Sequence, residues 1–236
     1  NELITEGQIS AQLTRQFSFE KVFTRDDLVS LLFYLGIVTI KNAELSRFVF
    51  EPPNFVIRQL YFTYFQQLIL QRASLRSDDL LIYDRVLQLA QKNEIAPLLE
   101  AVETILSQLS NRDAIGFDEK YLKAIFASLL YPTQIYTIHS EYETNRRYID
   151  LLLTRRPPID PNYQFAIELK YLKKGDAEQL EREKAEGFTQ MQEYLSHEKL
   201  YALSDLRAWL IIVVGAKVEV AIPVPPPTVY TAKGHK

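Results

Sequence analysis

The 236-residue chain contains no cysteine, a single methionine and three histidines. The missing cysteines exclude disulfide bonds, cysteine-ligated zinc sites and a thiol nucleophile, and they favour a cytoplasmic protein because disulfides persist in oxidising compartments. With so few histidines, a histidine-based hydrolase or zinc site has little support. The sequence also lacks a glycine-rich dinucleotide motif, a serine nucleophile motif and a GxxxxGK[ST] phosphate-binding loop.

Long apolar runs are lacking as well. The longest lies around residues 28–40, is interrupted by Ser30 and Thr39, and is too short to span a bilayer. The chain does not open with the basic and apolar regions of a secretory signal. We therefore expect a soluble, cytoplasmic protein without membrane contact.

The charge balance is slightly acidic, since the chain has 27 Lys and Arg residues and 30 Asp and Glu residues. This balance argues against a generally basic nucleic-acid-binding protein, although it leaves a local binding site open. Basic residues cluster between positions 146 and 174, and acidic residues crowd into positions 176–186. The cluster fits a phosphate-binding rim, and it fits equally well a solvated loop followed by a solvated acidic helix.

The first part of the chain, up to about residue 111, has a mainly helical pattern. Thr24 is placed to cap a helix that ends at Gly36, and an apolar stripe through Val56, Leu60 and Tyr64 marks another helix. Two short extended stretches, IVTI and SRFVF, lie between these helices. The order permits a winged-helix arrangement, with a small structural or linker domain as the alternative. We predict such a mainly helical domain over residues 1–111.

The second part of the chain, residues 112–236, predicts an α/β domain. A helix is expected at 118–130, strands at 133–143, 147–153 and 163–172, a long polar helix at 176–197, and two last strands at 208–215 and 217–224. This order favours a mixed central sheet flanked by helices.

Two of these strands carry charged residues where an interior strand would be apolar. Alternate residues of a strand share a face, so Glu168 and Lys170 lie on one face, which we expect to line a cleft. The proline-rich segment TRRPPIDPN predicts a loop, which makes the strands antiparallel neighbours. A turn about residue 159 then places Asp150 opposite Glu168, where two carboxylates repel each other.

A divalent cation between the two carboxylates would remove this repulsion. Mg²⁺ prefers oxygen ligands, commonly one or two carboxylates with water and phosphate oxygens. Asp150, Glu168 and the carbonyl of Leu169 could supply the protein ligands, and Lys170 could orient the water that attacks phosphorus. The alternative is an Asp, Glu and Lys network that satisfies itself at the rim of the sheet. The spacing alone leaves both interpretations open.

The same residues resemble a known family. Asp150 and the following Glu168-Leu169-Lys170, with a helix bearing Glu119 before them and a helix containing QMQEYL after them, resemble the PD-(D/E)XK nuclease superfamily over about residues 112–222. The segments YLGIVTI and PPN, and the order SE, RR.ID, AIELK, resemble the C-terminal regions of a bacterial family of AAA-ATPase-like proteins. An ATPase domain implied by this second resemblance would lie outside the present sequence, which contains no phosphate-binding loop.

The resemblance to the nuclease superfamily implies a restriction-endonuclease-like fold and a Mg²⁺-dependent nuclease, in which Mn²⁺ can substitute. Nucleic acid, DNA by family analogy, would be the substrate. Asp150 and Glu168 become metal ligands, Lys170 the catalytic lysine, and Glu119 an acid that contacts the metal through water.

Four further residues follow from the same resemblance. Gln190 and Tyr194 would flank the site or contact phosphate. Arg146 and Arg147 stand where family members often carry Gly-Arg, so the sequence here departs from the commonest form of the motif. The resemblance implies phosphate contacts at these two residues. The alternative to an active nuclease is a catalytically silent module of the same fold that docks nucleic acid or assembles with proteins.

Overall fold

The computed structural model describes residues 2–18, 20–110, 117–144 and 147–227. The chain divides into two compact units, Asn1–Leu68 and Ile69–Lys236. This division falls earlier in the chain than the domain boundary expected near residue 111, and that boundary stays a prediction. Within the described parts of the chain, every helix is too short or too polar to cross a bilayer.

The first unit combines short helices with a three-stranded sheet. Its elements are α1 (Glu2–Thr5), β1 (Ile9–Ala11), α2 (Arg25–Tyr34), β2 (Thr39–Glu44), β3 (Arg47–Glu51) and the first part of α3 (Phe55–Ala73). The sheet is antiparallel in the order β1-β3-β2. Thr24 caps α2 as expected: its side chain accepts from the Asp27 N–H, and the Asp27 carboxylate accepts from the Thr24 N–H.

The second unit contains the α/β arrangement that the sequence predicts. After α3 its elements are α4 (Ser77–Leu80), α5 (Ile82–Lys92), α6 (Ala96–Ser110), α7 (Glu119–Leu130), β4 (Tyr136–Thr144), β5 (Arg147–Arg155), β6 (Gln164–Leu172), α8 (Leu180–Leu195), α9 (Glu198–Tyr201), β7 (Leu206–Val214) and β8 (Lys217–Pro223). Short 3₁₀ turns follow α7 and precede α8.

The five strands of this unit form one mixed sheet in the order β4-β5-β6-β7-β8. Strands β6 and β7 are parallel, and all other neighbours are antiparallel. Helix α7 packs on β4, β5 and β6, and α8 packs on β6 and β7. The predicted fold class is therefore confirmed: a mixed sheet flanked by helices, consistent with a restriction-endonuclease-like fold.

The register between β5 and β6 matches the expected turn. Leu151 pairs with Ile167 and Leu153 with Phe165, so that one further step along the ladder brings Asp150 opposite Glu168. Arg155 stabilises the intervening loop, because its guanidinium pairs with Asp160 at 2.9 Å and with Asp205 at 3.0 Å.

The polar face of β6 differs from the expectation of an open cleft. Gln164, Ala166 and Glu168 are all buried. Ala166 belongs to a core that also contains Met191 and Tyr194 of α8. The expectation was wrong for most of the strand, because α8 covers this face and only its Lys170 end is partly open.

Candidate active site

The candidate site lies where the first turns of α7 meet β5 and β6. The Asp118 carboxylate accepts a 2.8 Å hydrogen bond from the Tyr121 N–H and caps α7. Glu119 and Lys123 stand four residues apart and therefore share one face of the helix. Ion pairs join this face to the strands: Glu119 contacts Lys170, and Lys123 contacts Asp150.

Asp150 is held in place by the neighbouring strand. Its Oδ2 accepts a hydrogen bond of 2.9 Å from the buried N–H of Leu169, and its Oδ1 lies 3.8 Å from the Nζ of Lys123. The hydrogen bond orients the carboxylate towards β6, the strand that carries Glu168. The two carboxylates that the sequence pattern singles out therefore lie at adjacent positions of the sheet.

Glu168 is the most deeply buried acid of the site, with a side chain that is 2% exposed. Its Oε1 lies 3.1 Å from the Nζ of Lys170. Burial and, next, the negative charge of Asp150 raise the pKa of Glu168 to about 8, and Lys170 opposes this rise only in part. Within the described part of the chain, Oε2 is buried and has no hydrogen-bond partner. A buried carboxylate oxygen without a donor is costly, so this atom is suited to a cation.

Lys170 lies between two acids. Its Nζ is 3.1 Å from Glu168 and 3.7 Å from Glu119. Burial alone lowers the pKa of Lys170, but the charges of Glu168, Glu119 and Asp150 outweigh burial and raise it. The side chain therefore stays protonated near neutral pH, as a donor of hydrogen bonds and positive charge rather than a base.

Glu119 forms the more open side of the site. Its side chain is 44% exposed, and burial raises its pKa although Lys170 opposes the effect. The structure thus brings together the four residues expected to be catalytic: Asp150, Glu168, Lys170 and Glu119. Their roles stay predictions.

The two residues expected on the long helix also lie near this group. The amide of Gln190 donates a hydrogen bond to the Tyr194 hydroxyl. Burial raises the pKa of Tyr194, and the charges of Glu168 and Asp150 add to the rise. Gln190 lines an open depression on α8 with Ala185, Glu186 and Thr189. Tyr194 thus lies within electrostatic reach of the carboxylates, while a role in phosphate contact stays a prediction for both residues.

The two arginines expected near phosphate lie at the edge of the described chain. Arg146 is outside the described residues, and only the main chain of Arg147, at the start of β5, is described. Possible phosphate contacts by these residues stay predictions.

Lys123 is the site residue that sequence reasoning missed. Its side chain is only 11% exposed and pairs with Asp150. The signal that could have found it is its spacing of four residues from Glu119 on α7, which places both side chains on the stripe that meets the sheet.

The donor set fits a divalent cation that keeps part of its water shell. Among the described residues, no group of three or more His, Cys, Asp or Glu side chains forms a ready-made metal site. Mg²⁺ does not need such a cage, because it is commonly bound by one or two carboxylates with water and substrate oxygens. Asp150 and Glu168 could supply two carboxylates, and the buried Oε2 of Glu168, which has no hydrogen-bond partner in the described parts of the chain, is an available ligand atom.

A comparison with known families agrees with this chemistry. Residues 117–221 match the family model of the PD-(D/E)XK nuclease superfamily. The matched segment runs from α7 into β8 and includes every described site residue. The match covers less than half of the chain. No curated protein matches the sequence significantly. The match suggests nuclease activity, and nucleases of this superfamily typically depend on a divalent metal. The resemblance to AAA-ATPase-like proteins stays a prediction.

Proposed function

We propose that residues 112–236 form a metal-dependent nuclease domain that hydrolyses phosphodiester bonds of nucleic acid. DNA is the proposed substrate and Mg²⁺ the proposed ion, with Mn²⁺ able to substitute. The observation that carries this proposal is the pair of neighbouring carboxylates, Asp150 and Glu168, beside a protonated Lys170. One buried oxygen of Glu168 has no hydrogen-bond partner among the described residues. The family match over residues 117–221 supports it.

Asp150, Glu168 and the Leu169 carbonyl are the proposed metal ligands. When bound, the ion supplies Lewis acidity, which acidifies water and offsets negative charge at the reacting phosphate. The Leu169 N–H keeps Asp150 turned towards Glu168 through its 2.9 Å hydrogen bond. The protein therefore contributes a fixed pair of carboxyl groups on adjacent strands.

Lys170 is the proposed catalytic lysine. Because its ammonium stays protonated, it donates a hydrogen bond to the attacking water or to a phosphate oxygen, and it stabilises the negative charge that develops there. Glu119, 3.7 Å from the Lys170 Nζ, limits the positions that this ammonium can adopt. Its partial exposure also suits the proposed contact with the metal through water.

A catalytically silent module is the second candidate, and one observation favours it. Lys123 and Lys170 each pair with one of the two central carboxylates, so two ammonium groups already neutralise much of the charge without a metal. The unpartnered Glu168 Oε2 weighs against a network that is complete in itself.

A cleavage assay distinguishes the two candidates. Single-stranded, duplex and branched DNA and single-stranded RNA are incubated with the protein in Mg²⁺, Mn²⁺ or EDTA, for the wild type, Asp150→Ala and Lys170→Ala. Glu219→Ala and Lys217→Ala, at exposed positions on the edge strand β8, are matched controls.

We expect cleavage by the wild type and both controls in the presence of metal, and none by the two site variants. The circular dichroism of the site variants should equal that of the wild type. Activity that survives in Asp150→Ala or Lys170→Ala would reject the assigned roles. A wild-type protein that cleaves none of the substrates would favour the silent module.

A further inference from the structure

Lys123 is a nearly buried cation to which the proposed reaction gives no role. A buried ammonium is expensive unless it is paired, and the Asp150 carboxylate pairs with Lys123 at 3.8 Å. The oxygen that Lys123 approaches is Oδ1, while the Leu169 N–H binds Oδ2. Lys123 therefore faces the side of Asp150 that does not bind the backbone of β6.

The charges around Asp150 determine how Lys123 affects the binding of a metal there. Two ammonium groups, Lys123 and Lys170, form ion pairs with three carboxylates of the site, Asp150, Glu168 and Glu119. Lys170 sits between Glu168 and Glu119, whereas Lys123 approaches Asp150. An ammonium and a divalent cation at the same carboxylate repel each other strongly in a poorly solvated site.

We propose, on the premise of the nuclease function above, that Lys123 is the internal counter-ion of Asp150 in the metal-free protein and a phosphate-binding side chain in the working site. In the absence of nucleic acid, Lys123 competes with the metal for Asp150 and lowers the metal affinity. In the presence of nucleic acid, the Lys123 ammonium turns to a phosphate oxygen of the bound strand. Bound nucleic acid draws the Lys123 ammonium away from Asp150 and so removes a charge that repels the metal. Bound metal displaces Lys123 from Asp150 and so frees it to bind phosphate. Metal and nucleic acid therefore strengthen each other's binding.

The chemistry of lysine suits this exchange. Its ammonium is a compact point charge at the end of four flexible methylenes, so it can change partners by side-chain rotation alone. The N-terminal cap of α7 at Asp118 fixes the helix start and keeps the Lys123 Cα in place while the side chain moves. A nucleic-acid strand that binds beside Glu119 would lie near Lys170, which is 3.7 Å from Glu119, and near Lys123, which is four residues from Glu119 on the same face of α7.

The test measures Mn²⁺ affinity by calorimetry in the absence of nucleic acid. The variants are Lys123→Met, which keeps the apolar stem and removes the charge, and Lys123→Gln, which keeps a polar end. Lys120→Met, an exposed position on the same helix, is the control. We expect Mn²⁺ to bind at least about tenfold more tightly to both Lys123 variants, because a nearby repulsive charge is gone. The control should equal the wild type.

A second readout tests the phosphate contact. At saturating Mn²⁺ and with duplex DNA as substrate, Lys123→Met should raise KM at least about tenfold and change kcat much less, as expected for a lost binding contact.

Equal or weaker Mn²⁺ binding by both Lys123 variants would overturn the inference, whether or not the wild type cleaves DNA. An unchanged KM beside tighter Mn²⁺ binding would overturn the phosphate-binding role. Tighter Mn²⁺ binding by the variants of a wild-type protein that cleaves nothing would support the counter-ion role while rejecting the nuclease function.

Discussion

Glu168→Gln tests the electrostatics of the site without any assumption about catalysis. The substitution keeps the size and shape of the side chain and removes its charge. In the wild type, burial and the neighbouring Asp150 raise the pKa of Glu168 to about 8, whereas the unfolded chain has a pKa near the ordinary value of 4.5. The folded protein therefore binds this proton more tightly than the unfolded chain does.

The sign of the pH dependence follows from this difference. Between about pH 4.5 and about pH 8 unfolding releases a proton, so the free energy of unfolding of the metal-free wild type falls as the pH rises. Since a tenfold change in proton affinity corresponds to about 1.4 kcal/mol, the loss is roughly 3 kcal/mol at pH 7 and less than about 1 kcal/mol at pH 5. Glu168→Gln removes this loss.

The assay is urea unfolding in EDTA at pH 5, 6, 7 and 8 for the wild type, Glu168→Gln and Glu219→Gln, an exposed control on β8. The stability of Glu168→Gln relative to the wild type should rise by about 2 kcal/mol between pH 5 and pH 7. The amide adds a constant offset at every pH, so the slope is the diagnostic quantity. A stability difference between Glu168→Gln and the wild type that does not change with pH would refute the reasoning. So would a stability difference between Glu219→Gln and the wild type that changes with pH as steeply as that of Glu168→Gln.

Two other substitutions test how the site is supported. Gly187→Ala should destabilise the protein by about 1 to 3 kcal/mol in urea unfolding, because an added Cβ would lie 2.7 Å from a terminal carbon of the buried Leu210. The control is Gly175→Ala, whose added Cβ would have no described atom within 4 Å and should not destabilise the protein. Equal destabilisation by both substitutions would contradict the packing argument. Arg155→Met should lower the free energy of unfolding by about 1 to 2 kcal/mol, because the partly buried guanidinium binds Asp205 and two loop carbonyls. An unchanged urea midpoint would show that the loop does not depend on Arg155.

The order of elements and the β5–β6 register could be predicted from the sequence for identifiable reasons. The strands alternate or run continuously apolar, and the proline-rich segment between them is typical of a loop with its middle near residue 159. That turn determines which residues face each other, so the neighbourhood of Asp150 and Glu168 followed from loop position alone. The placement of Lys170 followed from strand alternation.

Other features depend on tertiary packing that local patterns do not contain. Strand β1 is only three residues long, too short for any periodicity to be detected. In α3, Val56, Leu60 and Tyr64 marked the helix correctly but are more than half exposed, whereas Phe62 and Phe65 are buried. Both faces of this helix are apolar, so its hydrophobic pattern does not define which face is buried.

The residues that form the site could be predicted only in part, because some of them come from elements that are distant in the sequence. Glu168 and Lys170 could be placed by their strand, but Lys123 enters the site from α7, and its partner is 27 positions away in sequence. The cover that α8 places over Gln164 and Ala166 likewise depends on how a distant helix packs. Side chains contributed by separate elements meet only in the folded chain.

The most direct test of the central claim is a crystal of the wild-type protein equilibrated with Mn²⁺ and examined by anomalous scattering at the manganese edge. We expect a peak between the two central carboxylates, about 2 Å from oxygens of both Asp150 and Glu168, that disappears in Asp150→Ala. A map without that peak at Mn²⁺ concentrations that support cleavage, or with manganese bound only elsewhere, would contradict it.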